Sequence, residues 1–445
     1  MHRSLLTAAA LCLTAIPAAA QSIASRVAKA PDGVVQMRFA GRSGVCGDGR
    51  NVVAYGRALF VHPTMESYGR WSGVNCAPGP VRVVLTVRGG EVTALRTHVG
   101  GELASALATG REATDLGTVE PADAAAYLLD LAARAPGQLS RDAVLPAALA
   151  AEVSVTAPLL RIAGDRNRPT GTRQRALQWV GVDGDRSAAA ELERIAASGG
   201  GAADAGRGAG RKEDDDSYYP RAVRESALFA LSRLDGGAGT DAILRFARGG
   251  AGDHWLRPKA VFWLSQTDDP RARAALRDIA GDDGAPGDVR ESAIFALSQG
   301  EDGADAADLA FLERLYGRLD DSRLQDKVIF SVSQIGGRDA MRWIVSVAAD
   351  STQPLQMRKQ ALFWAGQRGA ELEDLDALYS RLTEPALREH YTFVLSQRSE
   401  SAALDRLVRI ARTDASPRVR KQALFWLGQK DDPRAVALIR ELINK

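Results

Sequence analysis

Apolar positions along this chain change their period twice. Residues 34–40 (VVQMRFA), 52–61 (VVAYGRALFV), 81–87 (VRVVLTV) and 91–99 (EVTALRTHV) are rich in Val with partial two-residue alternation, which predicts strands. Gly89 and Gly90 lie between the last two and accept positive φ without a Cβ clash, so a tight hairpin is expected there. From Pro121 the spacing becomes helical: ADAAAYLLDLAARA opens on that proline and stops at Pro136-Gly137, and a second helix is expected over 141–151. After residue 153 one helical phrase recurs, as ALFALSR (227–233), AVFWLSQ (260–266), AIFALSQ (293–299), VIFSVSQ (328–334), ALFWAGQ (361–367), YTFVLSQ (391–397) and ALFWLGQ (423–429). A degenerate copy, ALQWVGV, occupies 176–182. Its third positions are separated by 51, 33, 33, 35, 33, 30 and 32 residues, intervals that suit two helices and two turns apart from the first. The surplus of that first interval falls in 198–219, a Gly-rich and then charged stretch expected to be a disordered loop.

Between the copies lies a second amphipathic segment, as in RARAALRDIA (271–280), ALDRLVRIA (403–411) and RAVALIRELI (434–443). Asp269-Pro270 and Asp432-Pro433 precede two of these, offering a side-chain acceptor and a proline preset for the first turn. Each repeat therefore reads as helix, turn, helix, and neither helix hides its apolar stripe without a stacked neighbour.

On these residues a family likeness rests. Ser416-Pro417-Arg418-Val419-Arg420, followed by Ala423, Leu427 and Gly428, resembles the second helix of a HEAT repeat of the short bacterial type also found in phycobilisome lyases. The resemblance recurs in register over residues 153–445. It implies a mostly α fold, a right-handed α-α superhelix of about eight helix pairs whose second helices line the concave face. The expected organisation is a leader (1–20), a small N-terminal β-rich domain (21–100), a helical adaptor (101–152) and the HEAT-like solenoid (153–445) with its insertion at 198–219.

Stepping 100° per residue puts Val419, Ala423 and Leu427 on the buried side of the last copy, with Phe425 roughly opposite and Gln429 beside it. The stacked copies would then display a row of Phe229, Phe262, Phe295, Phe330, Phe363, Phe393 and Phe425, edged by Gln266, Gln299, Gln334, Gln367, Gln397 and Gln429. Two readings compete. An apolar strip edged with amides suits a protein or peptide partner. Alternatively each ring lies against the neighbouring helix and stiffens the array. Five residues before the marker runs an arginine row, Arg173, Arg224, Arg257, Arg290, Arg358, Arg388 and Arg420, interrupted by Gln325. It falls near the buried side, where guanidinium groups satisfy carboxylates or helix-end carbonyls of the next repeat, so it reads as structural. Trp179, Trp263, Trp364 and Trp426, one past the marker, read as packing.

Charge and chemistry narrow the function. Lys plus Arg is 57 against 55 Asp plus Glu, a net +2, so no global field draws in nucleic acid. Residues 1–20 combine Arg3, an apolar run from Leu5 to Ile16 and a small-residue end at Ala18-Ala19-Ala20, the parts of a secretory signal peptide. Leu11 before Cys12 stands where a lipoprotein site needs a small residue, and no later run is long enough to span a membrane. Export to the periplasm or beyond leaves Cys46 and Cys76, which are expected to form one disulfide closing a loop of about 30 residues, with two unpaired thiols as the rival. Some HEAT-like proteins are di-iron hydroxylases with several His-Glu pairs; this chain has none, only Glu389-His390 reversed, and His62, His98 and His254 lack further ligands. Gly47-Asp48-Gly49 reads as a turn and the acidic run 213–216 as a solvated stretch. No metal, cofactor or catalytic set is expected. The expectation is a monomeric, exported, non-catalytic scaffold for a protein or peptide. The alternative is a lyase-like or enzyme-accessory protein that binds a small molecule in the groove or the β head.

Overall fold

The computed structural model describes residues 22–50, 52–55, 58–61, 65–68, 76–100, 113–197, 219–250, 254–267, 269–299, 304–430 and 432–443. The leader, His62 and nearly all of the 198–219 insertion lie outside them. Two compact units share the chain, divided between Asp235 and Gly236.

The first unit opens with α1 (Ile23–Ala28) and then runs through β1 (Gly33–Phe39), β2 (Cys46–Gly47), β3 (Val52–Tyr55), β4 (Ala58–Val61), β5 (Met65–Tyr68), β6 (Ala77–Pro78), β7 (Val81–Arg88), β8 (Glu91–Val99) and β9 (Thr114–Thr118). Its sheets have the orders β8-β7-β1-β9 and β5-β4-β3-β2-β6. Alternation explains the first sheet: Val35, Met37 and Phe39 of β1 and Val81, Val83, Leu85 and Val87 of β7 are all buried, two apart along each strand. The β7–β8 hairpin closes at Arg88 opposite Glu91, and Gly89 and Gly90 take φ of 58° and 79°, the positive pair that a two-residue turn requires. Residues 52–61, expected as one strand, form two, with Val52 paired to Val61 and Tyr55 to Ala58. In the sequence, Gly56 interrupts the Val-rich run between the two. Strands β2, β5, β6 and β9 gave no alternation signal because they are short and take their hydrogen bonds from neighbours. Cys46 and Cys76 are joined, which ties β2 to the segment entering β6.

Helices complete this unit: α2 (Pro121–Arg134), α3 (Gly137–Ala148), α4 (Thr156–Gly164), α5 (Thr170–Asp183), α6 (Ala189–Ala197) and α7 (Tyr219–Ser232). Tyr219, expected at the end of the disordered insertion, is already helical. The adaptor is itself a helix pair of the array, because α3 packs on α5 as α5 packs on α7. The β head is fixed to the same pairs. Arg42 bonds Asp183 and donates to the Val153 carbonyl at 2.8 Å, and Tyr55 stacks on the buried Trp179 at 6.2 Å. α5 and α7 approach closely because residue 181 is glycine; a Cβ there would sit 2.9 Å from Ala230 Cα, a backbone atom that cannot step aside. Gly181→Ala is therefore expected to destabilise the protein by about 1–3 kcal/mol. A denaturant midpoint equal to that of the parent would show that the helices separate without cost.

The second unit contains α8 (Thr240–Ala247), α9 (Leu256–Leu264), α10 (Pro270–Gly281), α11 (Gly287–Leu297), α12 (Ala306–Tyr316), α13 (Ser322–Ile335), α14 (Gly337–Ala349), α15 (Leu355–Gln367), α16 (Leu372–Arg381), α17 (Pro385–Ser396), α18 (Ser401–Thr413), α19 (Pro417–Gly428) and α20 (Pro433–Ile443). Chain order sets their starts. Asp269 and Asp432 accept from the backbone N–H groups of Arg271 and Arg434 at 2.9 and 2.8 Å, and Asp305 with Asp308 forms a reciprocal capping box. The odd-numbered helices α9 to α19 pack consecutively into one layer, each on the next. The even-numbered ones form a second layer whose members touch less. The chain is thus mostly α, with HEAT-like stacked helix pairs and a small N-terminal β region. Among the described residues from 153 onward the pairs run from α4/α5 to α18/α19, eight in number, with α20 beyond them.

Candidate functional site

The marker residues of the second unit meet across helix boundaries. Phe295 of α11 stacks on Phe330 of α13 at 6.0 Å, Phe330 meets the edge of Trp364 of α15 at 5.0 Å, and Trp364 meets Phe363 of its own helix, also at 5.0 Å. Phe363 stacks on Phe393 of α17 at 6.3 Å, which contacts Trp426 of α19 at 5.3 Å, and Trp426 packs against Phe425 at 4.9 Å. One unbroken aromatic ladder therefore crosses five helices. Its interior rings are half-buried, whereas Phe425 and Phe262 remain 53% and 37% exposed. Of the two arrangements left open by the spacing, contact with an aromatic ring of a neighbouring helix is seen for Phe295, Phe330, Phe363 and Phe393, whereas Phe425 at the end of the row keeps an open face. Phe229 of α7, in the first unit, is also half-buried. Trp364 and Trp426 are ladder members and not only core packing; Trp263 meets Phe262 of its own helix at 5.0 Å, and Trp179 is buried beneath the β head.

A polar relay runs beside the rings. Ser265, Ser298, Ser333 and Ser396 each donate to the carbonyl of the Phe three residues earlier, at 2.6 to 2.7 Å. This use as a helix-backbone donor explains the recurrent serine without any nucleophilic role. The next residue, Gln266, Gln299, Gln334 or Gln397, donates its amide to that hydroxyl at 2.9 to 3.3 Å. Four amides are thereby held in one orientation. Gln334 also accepts from Arg368 of the following repeat. Gln367 and Gln429 follow glycine in place of serine and are exposed.

Charged groups flank the ladder unevenly. Lys327 lies 6.0 and 5.6 Å from the Phe295 and Phe330 ring centres, within cation–π range. Glu389 pairs with Arg418 at 2.6 Å. His390 sits 5.6 Å from Phe393, its imidazole pushed below the usual range by burial and then by Lys359. Burial raises the Asp326 carboxyl. Among the described residues no three His, Cys, Asp or Glu side chains converge to hold a metal. His98 bonds the Arg50 carbonyl at 2.8 Å, and His254 lies 3.8 Å from Asp288.

Five members of the arginine row share a task that the sequence spacing had left general. Arg173, Arg224, Arg257, Arg290 and Arg358 each donate Nε to an alanine carbonyl near the end of the preceding helix, Ala163, Ala196, Ala247, Ala280 and Ala348, at 2.7 to 3.1 Å. These are carbonyls without an intrahelical partner. They belong to the first helix of the same pair and not to the next repeat, because the antiparallel return within each pair brings the second helix's first residues beside the first helix's end. Gln325 donates to the Leu319 carbonyl at 2.8 Å, and Arg420 to that of Asp414 at 2.7 Å. The next repeat is reached by two of the row: Arg358 bonds Glu384 and Arg388 pairs with Asp414.

Among solved structures the chain is similar to human deoxyhypusine hydroxylase in complex with glycerol (19% identity, 57% of this chain and 89% of that one, TM-score 0.26). It is also similar to lipovitellin (12%, 89% and 45%, TM-score 0.43) and to importin beta (12%, 72% and 53%, TM-score 0.30). The chain spans about half the length of those last two chains. Such likeness concerns fold alone. No family model and no curated protein matches the sequence.

Proposed function

We propose that the chain is an exported, non-catalytic scaffold that binds a protein or peptide along the odd-helix layer of its second unit. The observation that carries this reading is the aromatic ladder bordered by amides held in register. Exposed aromatic surface supplies desolvation energy, and a Gln amide offers donors and an acceptor to an extended backbone. Export draws its support from the leader motif and from the Cys46–Cys76 bridge, which suits an oxidising compartment. No described helix is long and apolar enough to cross a membrane.

Crosslinking in the native envelope followed by mass spectrometry would identify the partner, and its affinity would then be measured with purified variants. Replacing Gln299, Gln334 and Gln397 by Ala removes the amides while leaving the rings in place. Its expected effect is at least a tenfold loss of affinity, about 1.4 kcal/mol, with an unchanged thermal midpoint. Substituting Ser at Phe295, Phe330 and Phe363 is the counter-test: a large stability loss with unaltered affinity would make the ladder purely structural.

A further inference from the structure

A cleft of about 580 Å³ opens in the first unit between α2 and α4. Its α2 wall is unusual for a first helix of a pair. Ala122, Ala126, Leu129 and Ala133, at spacings of four, three and four, form a second apolar stripe besides the buried one at Ala124, Leu128 and Ala132. First helices of later pairs carry arginines among their apolar residues instead, Arg273 and Arg277 in α10 and Arg406 and Arg409 in α18. Small side chains on α2 leave the hollow, and Ile162 of α4 faces it from the other wall.

Four charged residues line the same cleft, and three are engaged. Asp130 is bound by Arg134, and Asp165 pairs with Arg168 at 3.3 Å. Arg161 is exposed and has no ion pair or hydrogen bond among the described residues. The cleft's unbalanced charge is therefore a single guanidinium beside an apolar hollow. Volume and length select the size of the occupant. Small-molecule sites run to about 300–1,000 Å³ with mostly apolar walls and a few polar groups. The nine residues of α4 are about 13 Å long, too short a wall to seat a partner helix of several turns.

We propose that this cleft binds a small anionic amphiphile, a monocarboxylate with a medium-length hydrocarbon chain. The carboxylate pairs with Arg161, a planar donor suited to two-point contact, and the chain lies over Ala126, Leu129 and Ile162. This site is independent of the peptide-binding face, and its test does not involve that partner.

Isothermal titration calorimetry of the full mature chain with decanoate, below its micellar concentration, examines the assignment, with decyltrimethylammonium as the opposite-charge control. One equivalent of decanoate is expected to bind, with little or no uptake of the cation. Ala126 is exposed, so Ala126→Trp can fill the hollow without disturbing the core and should abolish binding. Arg161→Glu should weaken it more than tenfold, and both variants should keep the parent's thermal midpoint. The proposal falls if decanoate does not bind at millimolar concentration or if the cation binds equally well. It also falls if Ala126→Trp leaves the titration unchanged, or if Arg161→Glu has no effect.

Discussion

Cys46→Ser is expected to cost the first unit about 3 to 4 kcal/mol, the chain-entropy value for a loop of this length. The bridge spans a sequence separation of 30 and joins β2 to the segment entering β6. Both strands have two residues, so few ladder hydrogen bonds hold this part of the sheet in place. Their pairing, Cys46 opposite Pro78 and Gly47 opposite Ala77, depends on the bridge to limit the unfolded ensemble. The measurement is equilibrium unfolding by near-ultraviolet circular dichroism with and without reductant. Reductant should bring the parent down to the variant and leave the variant unmoved. A parent insensitive to reductant would mean that the two thiols are unpaired in the isolated protein.

A second large effect is expected at Arg358. Its side chain is almost wholly buried, donates to the Ala348 carbonyl at 3.1 Å and bonds the Glu384 carboxylate at 3.3 Å. One guanidinium thus closes the end of α14 and joins the residue preceding α17 in the next repeat. Arg358→Met keeps the aliphatic stem but strands the buried Ala348 carbonyl, while the exposed Glu384 carboxylate returns to water, for an expected loss of about 1–3 kcal/mol. Arg358→Lys should recover little, since an ammonium cannot reproduce the planar fork that serves both partners. Acid adds a signature. The hydrogen bond from Arg358 holds the Glu384 carboxyl below the usual range, so its folded value lies under its unfolded one. That contribution is present above the unfolded value and is lost as pH falls through the folded one. The parent's advantage over Arg358→Met should accordingly shrink in acid. An advantage independent of pH would show that Glu384 takes no part, and stability equal to the parent's would show that the row is dispensable.

Much of this architecture was legible from spacing. The marker at intervals of 30 to 35 fixed the number of pairs, and Asp-Pro located helix starts that capping then explained. The Gly89-Gly90 hairpin was legible because only glycine accepts that turn at no steric cost. Less readable was the division of residues 52–61 into two paired strands, because Gly56 alone interrupts the β-forming residues on either side. The pair α2/α3 also escaped the repeat pattern: it lacks the Phe marker, and only the packing of α3 on α5 reveals its membership. A signal for the arginine task existed unread. In four pairs an alanine precedes the arginine by ten residues, Ala163 and Arg173, Ala247 and Arg257, Ala280 and Arg290, Ala348 and Arg358.

By itself the sequence determined that paired helices recur in register, because apolar periodicity and helix caps are local properties written residue by residue. Tertiary structure alone decided which sides of those helices stay open. Exposure of Phe425 against the half-burial of Phe330, or the hollow beside Ala126, depends on the distance to a neighbouring helix. That distance is set by side chains far apart in the chain, and no single helix encodes it.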